Sequence, residues 1–229
     1  MQAIETSAGS TQLQDSITDH SQPFTVNLHE DSFRGFKCET PSLEVQVQKD
    51  ELLKMYKDMQ LMRRMEMAAD TLDKAKLIRG FCHLAIGQVS RRLFFGPSFT
   101  HKCVQEAVAV GLEYGIVPDD RVITAYRCHP YAVMRGGTIK GVIAELLGHQ
   151  DGMSRGKGGS MHIFTPSFFG GNSIVGAQVP IGAGIAFAQK YLGKKMAMFA
   201  LYGDGASNQG QVFEAFNMVR NCSTSMDPR

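Results

Sequence analysis

An α/β fold with a parallel sheet is the fold class that this sequence predicts. Residues 196–202 (MAMFALY) form an uncharged apolar run, which is typical of a strand buried on both faces of a parallel sheet. A turn containing Gly203 and Gly205 follows this strand, and a helical pattern over residues 209–218 comes next. A short strand at residues 122–125 lies between two further helical patterns. Strands that alternate with helices in this way indicate a parallel sheet flanked by helices.

The N-terminal part of the chain predicts an arm. No Lys or Arg precedes Arg34, and Ser, Thr, Gln and Asp dominate up to Ser21. This composition favours a partly disordered arm over residues 1–49. Within the arm, residues 24–28 and 43–47 alternate apolar and polar side chains and predict two short edge strands.

A long helix is predicted after the arm. Asp50 is a suitable N-cap, and apolar residues, several of them methionine, recur at helical spacing from Leu52 to Ala69. The methionine-rich stripe predicts a face packed on the core, and a Met-rich binding face is the alternative. Further helices are predicted at residues 106–114, 138–147 and 185–191.

Composition excludes several classes of function. The net charge is only +2 and the basic residues are dispersed, so no nucleic-acid partner is expected. No apolar run approaches the roughly 18 residues of a membrane span, so no membrane partner is expected. The five cysteines show no Cys-x-x-Cys spacing, which favours a reducing compartment and argues against a disulfide framework or structural zinc.

A carboxylate between two glycines follows the predicted strand at residues 196–202. Glycines at this point allow backbone to approach a ligand closely, and a helix N-terminus that follows offers N–H groups to a phosphate. The lone carboxylate of Asp204 beside phosphates suits Mg²⁺, which keeps few protein ligands and shares phosphate oxygens. An isolated aspartate of this kind is usually a turn residue, so the rest of the chain decides between the two interpretations.

Six segments of the chain match the motifs of one family and occur in the order of that family. They are RRME (63–66), IRGFCHLAIGQ (78–88), ITAYRCH (123–129), GKGGSMH (156–162), GGNSIVGAQVP (170–180) and YGDGASNQG (202–210). Together they resemble the alpha subunit of the pyruvate dehydrogenase (acetyl-transferring) component, of the mitochondrial and fungal type. One Gly-Asp-Gly is weak on its own, but six ordered segments leave little room for chance similarity.

The resemblance implies a thiamine-diphosphate-binding domain, incomplete at its C-terminal end, over residues 50–218. Its activity would be oxidative decarboxylation of pyruvate, with acetyl transfer to lipoamide and with Mg²⁺ holding the coenzyme. The implied partners are a beta subunit, in an alpha2–beta2 heterotetramer, and a lipoyl-bearing acetyltransferase core. The implied location is the mitochondrial matrix, although the N-terminus lacks the Arg-rich composition of a transit peptide.

The resemblance also assigns roles to individual residues. His83 matches a catalytic and substrate-binding histidine, which suits proton transfer near neutral pH. Tyr126 and Arg127 match the pair that reaches the diphosphate and the substrate, and arginine suits bidentate phosphate contacts. The other implied coenzyme contacts are Thr165 near the diphosphate, Ser173 and Val175 at the aminopyrimidine, and Asp204, Gly205 and Ala206 at the metal and diphosphate. Asp204 is the implied metal ligand.

Two positions depart from the family pattern. Pro130 stands where glycine is usual and predicts a restricted backbone beside the phosphate-binding pair. Ser173 also replaces a glycine and predicts crowding of the coenzyme ring or a less favourable φ.

Two segments interrupt the family pattern. Residues 89–105 separate Gly87-Gln88 from residues 106–111, which would form a compact turn leading into a helix if they were joined directly. Residues 219–229 replace the apolar strand and the Asn-Asn pair expected after Asp204. Both begin with valine, whose codons all start with GT, as splice donors do. The hypothesis is that both are translated introns, which sequenced transcripts would test, and a family-specific insertion is the alternative for residues 89–105. A truncated chain of this kind has a second possible function, that of a catalytically inactive fragment that at most binds the beta subunit.

Overall fold

The computed structural model describes residues 22–33, 39–86 and 104–225. The predicted disordered start of the arm, most of the segment at 89–105 and the last residues of the predicted tail lie outside the described residues. The chain divides into two compact units, the first up to Tyr56 and the second from Lys57 onward.

The first unit contains both predicted edge strands. Strand β1 (Phe24–Asn27) pairs antiparallel with β2 (Glu44–Val47). Gln46 Nε2 donates across the pair to Thr25 Oγ1 at 2.6 Å. The alternation of polar and apolar residues therefore identified these strands correctly.

Helix α1 (Lys49–Lys74) confirms the predicted long helix, and its residues from Lys57 onward belong to the second unit. It begins at Lys49, so the prediction that Asp50 is the N-cap is wrong. Asp50 lies in the first turn, where a negative side chain interacts favourably with the helix dipole. Met62, Met65 and Ala69 are buried in the main core, as the methionine stripe predicted.

A parallel strand pair lies at the centre of the second unit. Strand β3 (Arg121–Ile123) pairs with β4 (Met198–Ala200), with Val122 opposite Phe199, and the predicted α/β class is thus confirmed. Val122 is fully buried because a bridge to Phe168 covers the other edge of β3. All three residues of β4 are only half-buried, so the expectation of a strand buried on both faces is wrong. Within the described residues, β3 is the one strand that pairs with β4.

Helices surround this pair. They are α2 (Val104–Gly115), α3 (His129–Met134), α4 (Ile139–Leu146), α5 (Gln178–Tyr191) and α6 (Gly210–Ser225). Thr138 caps α4, because its Oγ1 accepts a hydrogen bond from Gly141 N at 3.0 Å. None of the described helices is long and apolar enough to cross a membrane.

Three helices differ from the sequence predictions. Helix α3 was not predicted, and Pro130 lies in its first turn, where proline costs no helical hydrogen bond and does not disturb the fold. Helix α5 begins seven residues earlier than predicted, and Gly182 inside it serves close packing, because a Cβ added there would lie 2.8 Å from Ala200 Cβ of β4. Helix α6 does not end near Met218 but continues through Ser225.

Candidate functional site

A cleft of about 630 Å³ lies at the carboxyl ends of β3 and β4. Ligands of α/β sheets bind preferentially at this edge, where loops that follow neighbouring strands come together. The cleft brings together six of the predicted site residues, which are Tyr126, Arg127, Val175, Asp204, Gly205 and Ala206. These residues come from segments up to 80 positions apart, yet the resemblance assigned all of them to one site.

His83 lies beside the cleft and contacts one of its walls. Its ring centroid is 4.8 Å from that of Tyr126, and the Phe81 ring is stacked with it at a centroid distance of 6.0 Å. Partial burial lowers the pKa of His83, and the positive charges of Arg127 and His129 lower it further. The imidazole is therefore biased toward its neutral form, which accepts a proton more readily than it donates one.

Arg127 connects the cleft wall to the His83 segment. Its Nη1 donates to the carbonyl oxygen of Leu84, and its guanidinium carbon lies 5.5 Å from the Tyr126 ring centroid. The buried Nε has no hydrogen-bond partner in the described part of the chain. An unpaired buried donor is costly, so Arg127 retains an unused donor beside the cleft, of the kind that pairs well with an anion.

Two glutamines also line the cleft and were missed as site residues. Gln178 is fully buried at the start of α5, and its Nε2 donates to Leu201 O at 3.0 Å. Its Oε1, like that of Gln105 on α2, is buried without a partner among the described residues. Gln178 falls inside one of the six matching segments, but nothing in the sequence distinguishes a glutamine that faces a cleft from one that faces solvent.

The loop that carries Asp204 is more complex than predicted. Residues Ala206–Asn208 form a single 3₁₀ turn, so helix α6 begins only at Gly210 and not directly after the glycines. Ser207 N donates to Gly203 O at 3.1 Å, whereas the N–H groups of Gly205 and Ala206 make no hydrogen bond in the described structure. The Asp204 carboxylate is exposed and likewise makes no hydrogen bond there.

The described residues contain no group of three or more His, Cys, Asp or Glu side chains that could hold a metal ion. Asp204 is thus a single carboxylate. Such a group suits an ion that takes most of its ligands from phosphates and water.

Besides His83, two predicted site residues do not line the cleft. The Thr165 hydroxyl donates to Arg135 O at 2.8 Å and accepts from Phe168 N at 3.1 Å, and these bonds stabilise its own loop. Ser173 is exposed, and its φ is not positive, so the expected backbone strain at this position is absent.

Glu145 organises the glycine-rich loop at residues 152–159, and the sequence analysis did not identify it. The side chain is fully buried and accepts four backbone hydrogen bonds, from the N–H groups of Ser154, Gly156, Gly158 and Gly159, at 2.6 to 3.1 Å. One carboxylate accordingly satisfies four donors of a loop that has little regular structure of its own.

A second buried network lies beneath His83. His129 Nδ1 lies 2.8 Å from Glu66 Oε1, and both residues are fully buried. On the other side of the ring, Nε2 lies 3.0 Å from both the carbonyl oxygen and the Oγ of Ser160. Ser160 Oγ in turn accepts a hydrogen bond from His83 N at 3.0 Å.

Comparison with known proteins connects this geometry to a family. The family model described as "Dehydrogenase E1 component" matches residues 96–224. The chain is 53% identical over 220 residues to the mitochondrial pyruvate dehydrogenase E1 component subunit alpha of Chaetomium thermophilum, covering 95% of this chain and 49% of that protein. It is 55% identical over 202 residues to the corresponding protein of Schizosaccharomyces pombe, covering 88% and 45%.

A plant relative is similar to the same degree. The mitochondrial pyruvate dehydrogenase E1 component subunit alpha-1 of Arabidopsis thaliana is 52% identical over 200 residues, covering 86% of this chain and 45% of that protein. The chain thus spans about half the length of the curated relatives that it matches. The resemblance inferred from the six segments is confirmed by these matches.

Proposed function

Since the chain belongs to the dehydrogenase E1 component family, we propose that it contributes the alpha-subunit part of a pyruvate dehydrogenase site in the mitochondrial matrix. The proposed reaction is the oxidative decarboxylation of pyruvate with transfer of the acetyl group to lipoamide. The single observation that supports it best is the cleft that joins Arg127 to Asp204 at the carboxyl ends of two parallel strands.

The residues of the cleft fit thiamine diphosphate with Mg²⁺. Arg127 Nε, a buried donor without a partner, suits the diphosphate, and the unengaged N–H groups of Gly205 and Ala206 offer further donors. The Asp204 carboxylate suits Mg²⁺ that is shared with phosphate oxygens. Val175 adds an apolar contact for the aromatic part of the coenzyme, and Gln178 Oε1 is an unpaired acceptor.

The bound coenzyme would supply the carbanion chemistry of decarboxylation, and the protein residues have simpler tasks. His83, held largely neutral beside Tyr126, can accept a proton from the substrate or orient the carboxylate of pyruvate at the edge of the cleft. Arg127 would orient the anionic end of the coenzyme. A beta subunit in an alpha2–beta2 heterotetramer would complete the site, and a lipoyl-bearing acetyltransferase core would receive the acetyl group.

A second candidate function is that of an inactive module that binds the beta subunit. An apolar groove of about 290 Å³ between α5 and α6 favours it, because its lining includes the exposed side chains of Phe187 and Met218. Exposed apolar surface of this kind is typical of a protein contact. The two candidates differ in whether the cleft binds the coenzyme.

The experiment that tests the proposal is thermal unfolding with and without thiamine diphosphate and Mg²⁺, with the cognate beta subunit present. Ligand at about 100 times its dissociation constant should stabilise the folded state by about 2.7 kcal/mol. That stabilisation should raise the unfolding temperature by roughly 5 to 10 °C for a chain of this size.

Substitutions at the cleft separate specific from nonspecific stabilisation. Asp204→Asn should abolish the part of the shift that requires Mg²⁺, and Arg127→Gln should weaken binding of the coenzyme. Glu214→Gln, at an exposed position of α6, serves as the matched control and should leave the shift unchanged. Absence of any shift in the unmodified protein, together with binding of the beta subunit, would favour the inactive module.

A further inference from the structure

We infer that the buried network of Glu66, His129 and Ser160 is a positioning device for His83, in which His129 Nε2 carries a proton. Its catalytic consequence depends on the proposed function, but its geometry and protonation do not. All three network residues are at most 4% exposed, so none of them can contact substrate directly.

The protonation of His129 follows from the atoms that face its ring. The carbonyl oxygen of Ser160, 3.0 Å from Nε2, can only accept a hydrogen bond, so a proton on Nε2 satisfies it, whereas the Ser160 hydroxyl at the same distance can either accept or donate. If Nε2 lacked a proton, two lone pairs would face each other in a buried site, which is a costly arrangement. At Nδ1 the carboxylate of Glu66 provides a charged partner at 2.8 Å, which offsets the cost of burying the ring.

Ser160 then transmits the position of the ring to the site. Its Oγ lies 3.0 Å from His129 Nε2 and accepts from His83 N, so one hydroxyl connects α3 to the segment that carries His83. The next residue of that segment, Leu84, is held by Arg127 through its carbonyl oxygen. Two anchors on consecutive residues therefore determine where the His83 ring meets Tyr126.

The charges around His83 support this assignment. Burial lowers the pKa of His83, followed by the effects of Arg127 and of His129, which lies on the other side of Ser160. Two thiols, Cys82 and Cys128, also lie beside the network, and burial is the largest cause that raises the pKa of both, so they stay neutral near pH 7. Glu66 is thus the anionic partner closest to His129.

The first test reads protonation in the unmodified chain, and substitutions serve only to assign its signals. Nuclear magnetic resonance of the full chain labelled with ¹⁵N-histidine reports which ring nitrogens carry protons, and the His83→Gln and His129→Gln variants assign the signals. We expect His129 to show a protonated Nε2 at neutral pH that exchanges slowly with solvent. A His129 ring protonated at Nδ1 alone would overturn the inference.

The second test compares two serines of the same loop. Ser160→Ala removes the hydroxyl that binds His83, whereas Ser154→Ala removes one that donates to His162 O at 2.8 Å. We expect Ser160→Ala to shift the His83 amide signal and its titration midpoint, and Ser154→Ala to leave both unchanged. Equal effects of the two variants would refute the positioning role.

Activity with the cognate beta subunit is a third readout. If the network positions His83, Ser160→Ala should lower kcat by about 10- to 100-fold, while the affinity for thiamine diphosphate stays that of the unmodified chain. Failure of the coenzyme to bind any variant would count against the proposed function and leave the resonance result intact. An unchanged kcat in Ser160→Ala would count against the inference alone.

Discussion

Replacement of Glu145 by glutamine should destabilise the fold far more than its conservative chemistry suggests. The carboxylate accepts two hydrogen bonds at each oxygen, from Ser154 and Gly156 at Oε2 and from Gly158 and Gly159 at Oε1. In Glu145→Gln one of these oxygens becomes an NH₂ group, which faces two N–H donors that it cannot accept from. The site is fully buried, so water cannot replace the lost acceptor.

The magnitude follows from the number of bonds lost. Each hydrogen bond to a charged acceptor contributes about 1.5 to 3 kcal/mol, so two lost bonds cost about 3 to 6 kcal/mol. Domains are stable by only about 5 to 15 kcal/mol, so the variant should be marginally folded. With an m-value of about 3 kcal/mol/M, the urea midpoint should fall by roughly 1 to 2 M.

The assay is equilibrium unfolding in urea followed by far-ultraviolet circular dichroism. Glu214→Gln makes the same chemical change at an exposed site of α6 and should alter the free energy of unfolding by no more than about 0.5 kcal/mol. If Glu145→Gln shifts the midpoint no more than this control does, the four hydrogen bonds do not hold the loop, and the reasoning is refuted.

Two further predictions concern packing and pH. Gly182→Ala should destabilise the fold by up to about 2 kcal/mol, because its Cβ would meet Ala200. Overpacking costs about 1 to 3 kcal/mol, and the higher helix propensity of alanine offsets about 1 kcal/mol of that cost. Gly184→Ala, two residues along α5 with no atom within 4 Å of its Cβ, should stabilise the fold, and thermal unfolding of both variants shows whether the signs differ. Burial, together with the nearby Glu66 carboxylate, raises the pKa of the Cys128 thiol from 9.0 to about 12, so the unfolded chain loses this proton first as pH rises. The free energy of unfolding should then fall by about 1.4 kcal/mol per pH unit between pH 9 and 12 through this group, and Cys128→Ala should flatten that slope.

Local sequence patterns predicted the strands and helices that are marked by a periodic alternation of polar and apolar residues. The alternation at 43–47 identified β2, and the helical spacing of the methionines identified α1 and its buried face. Errors arose where glycine or proline serves a tertiary contact. Gly182 makes α5 look interrupted although it allows the helix to pack on Ala200, and Pro130 predicted a restricted backbone at a position where it lies in the first turn of α3.

In the candidate site, too, the motifs identified which residues belong together but not what each side chain contacts. The resemblance identified Tyr126, Arg127 and Asp204 as members of one site, and the cleft brings them together. It also assigned Thr165 to the coenzyme, whereas the hydroxyl of that residue is engaged with Arg135 O. A motif match specifies the residue type at a position, but the direction of a side chain depends on which partner lies nearest.

The sequence by itself determined the fold class, the family and the chemistry expected at the carboxyl ends of the strands, because these depend on the order of residues along the chain. Only the tertiary structure decided that Glu145 organises the glycine-rich loop and that Glu66 and His129 lie beneath His83. Glu66 and His129 are 63 positions apart and are brought together by the burial of α1 and α3 in one core. Hydrogen-bond energy depends on distances of about 3 Å between atoms, and no local pattern in a sequence specifies such a distance between remote residues.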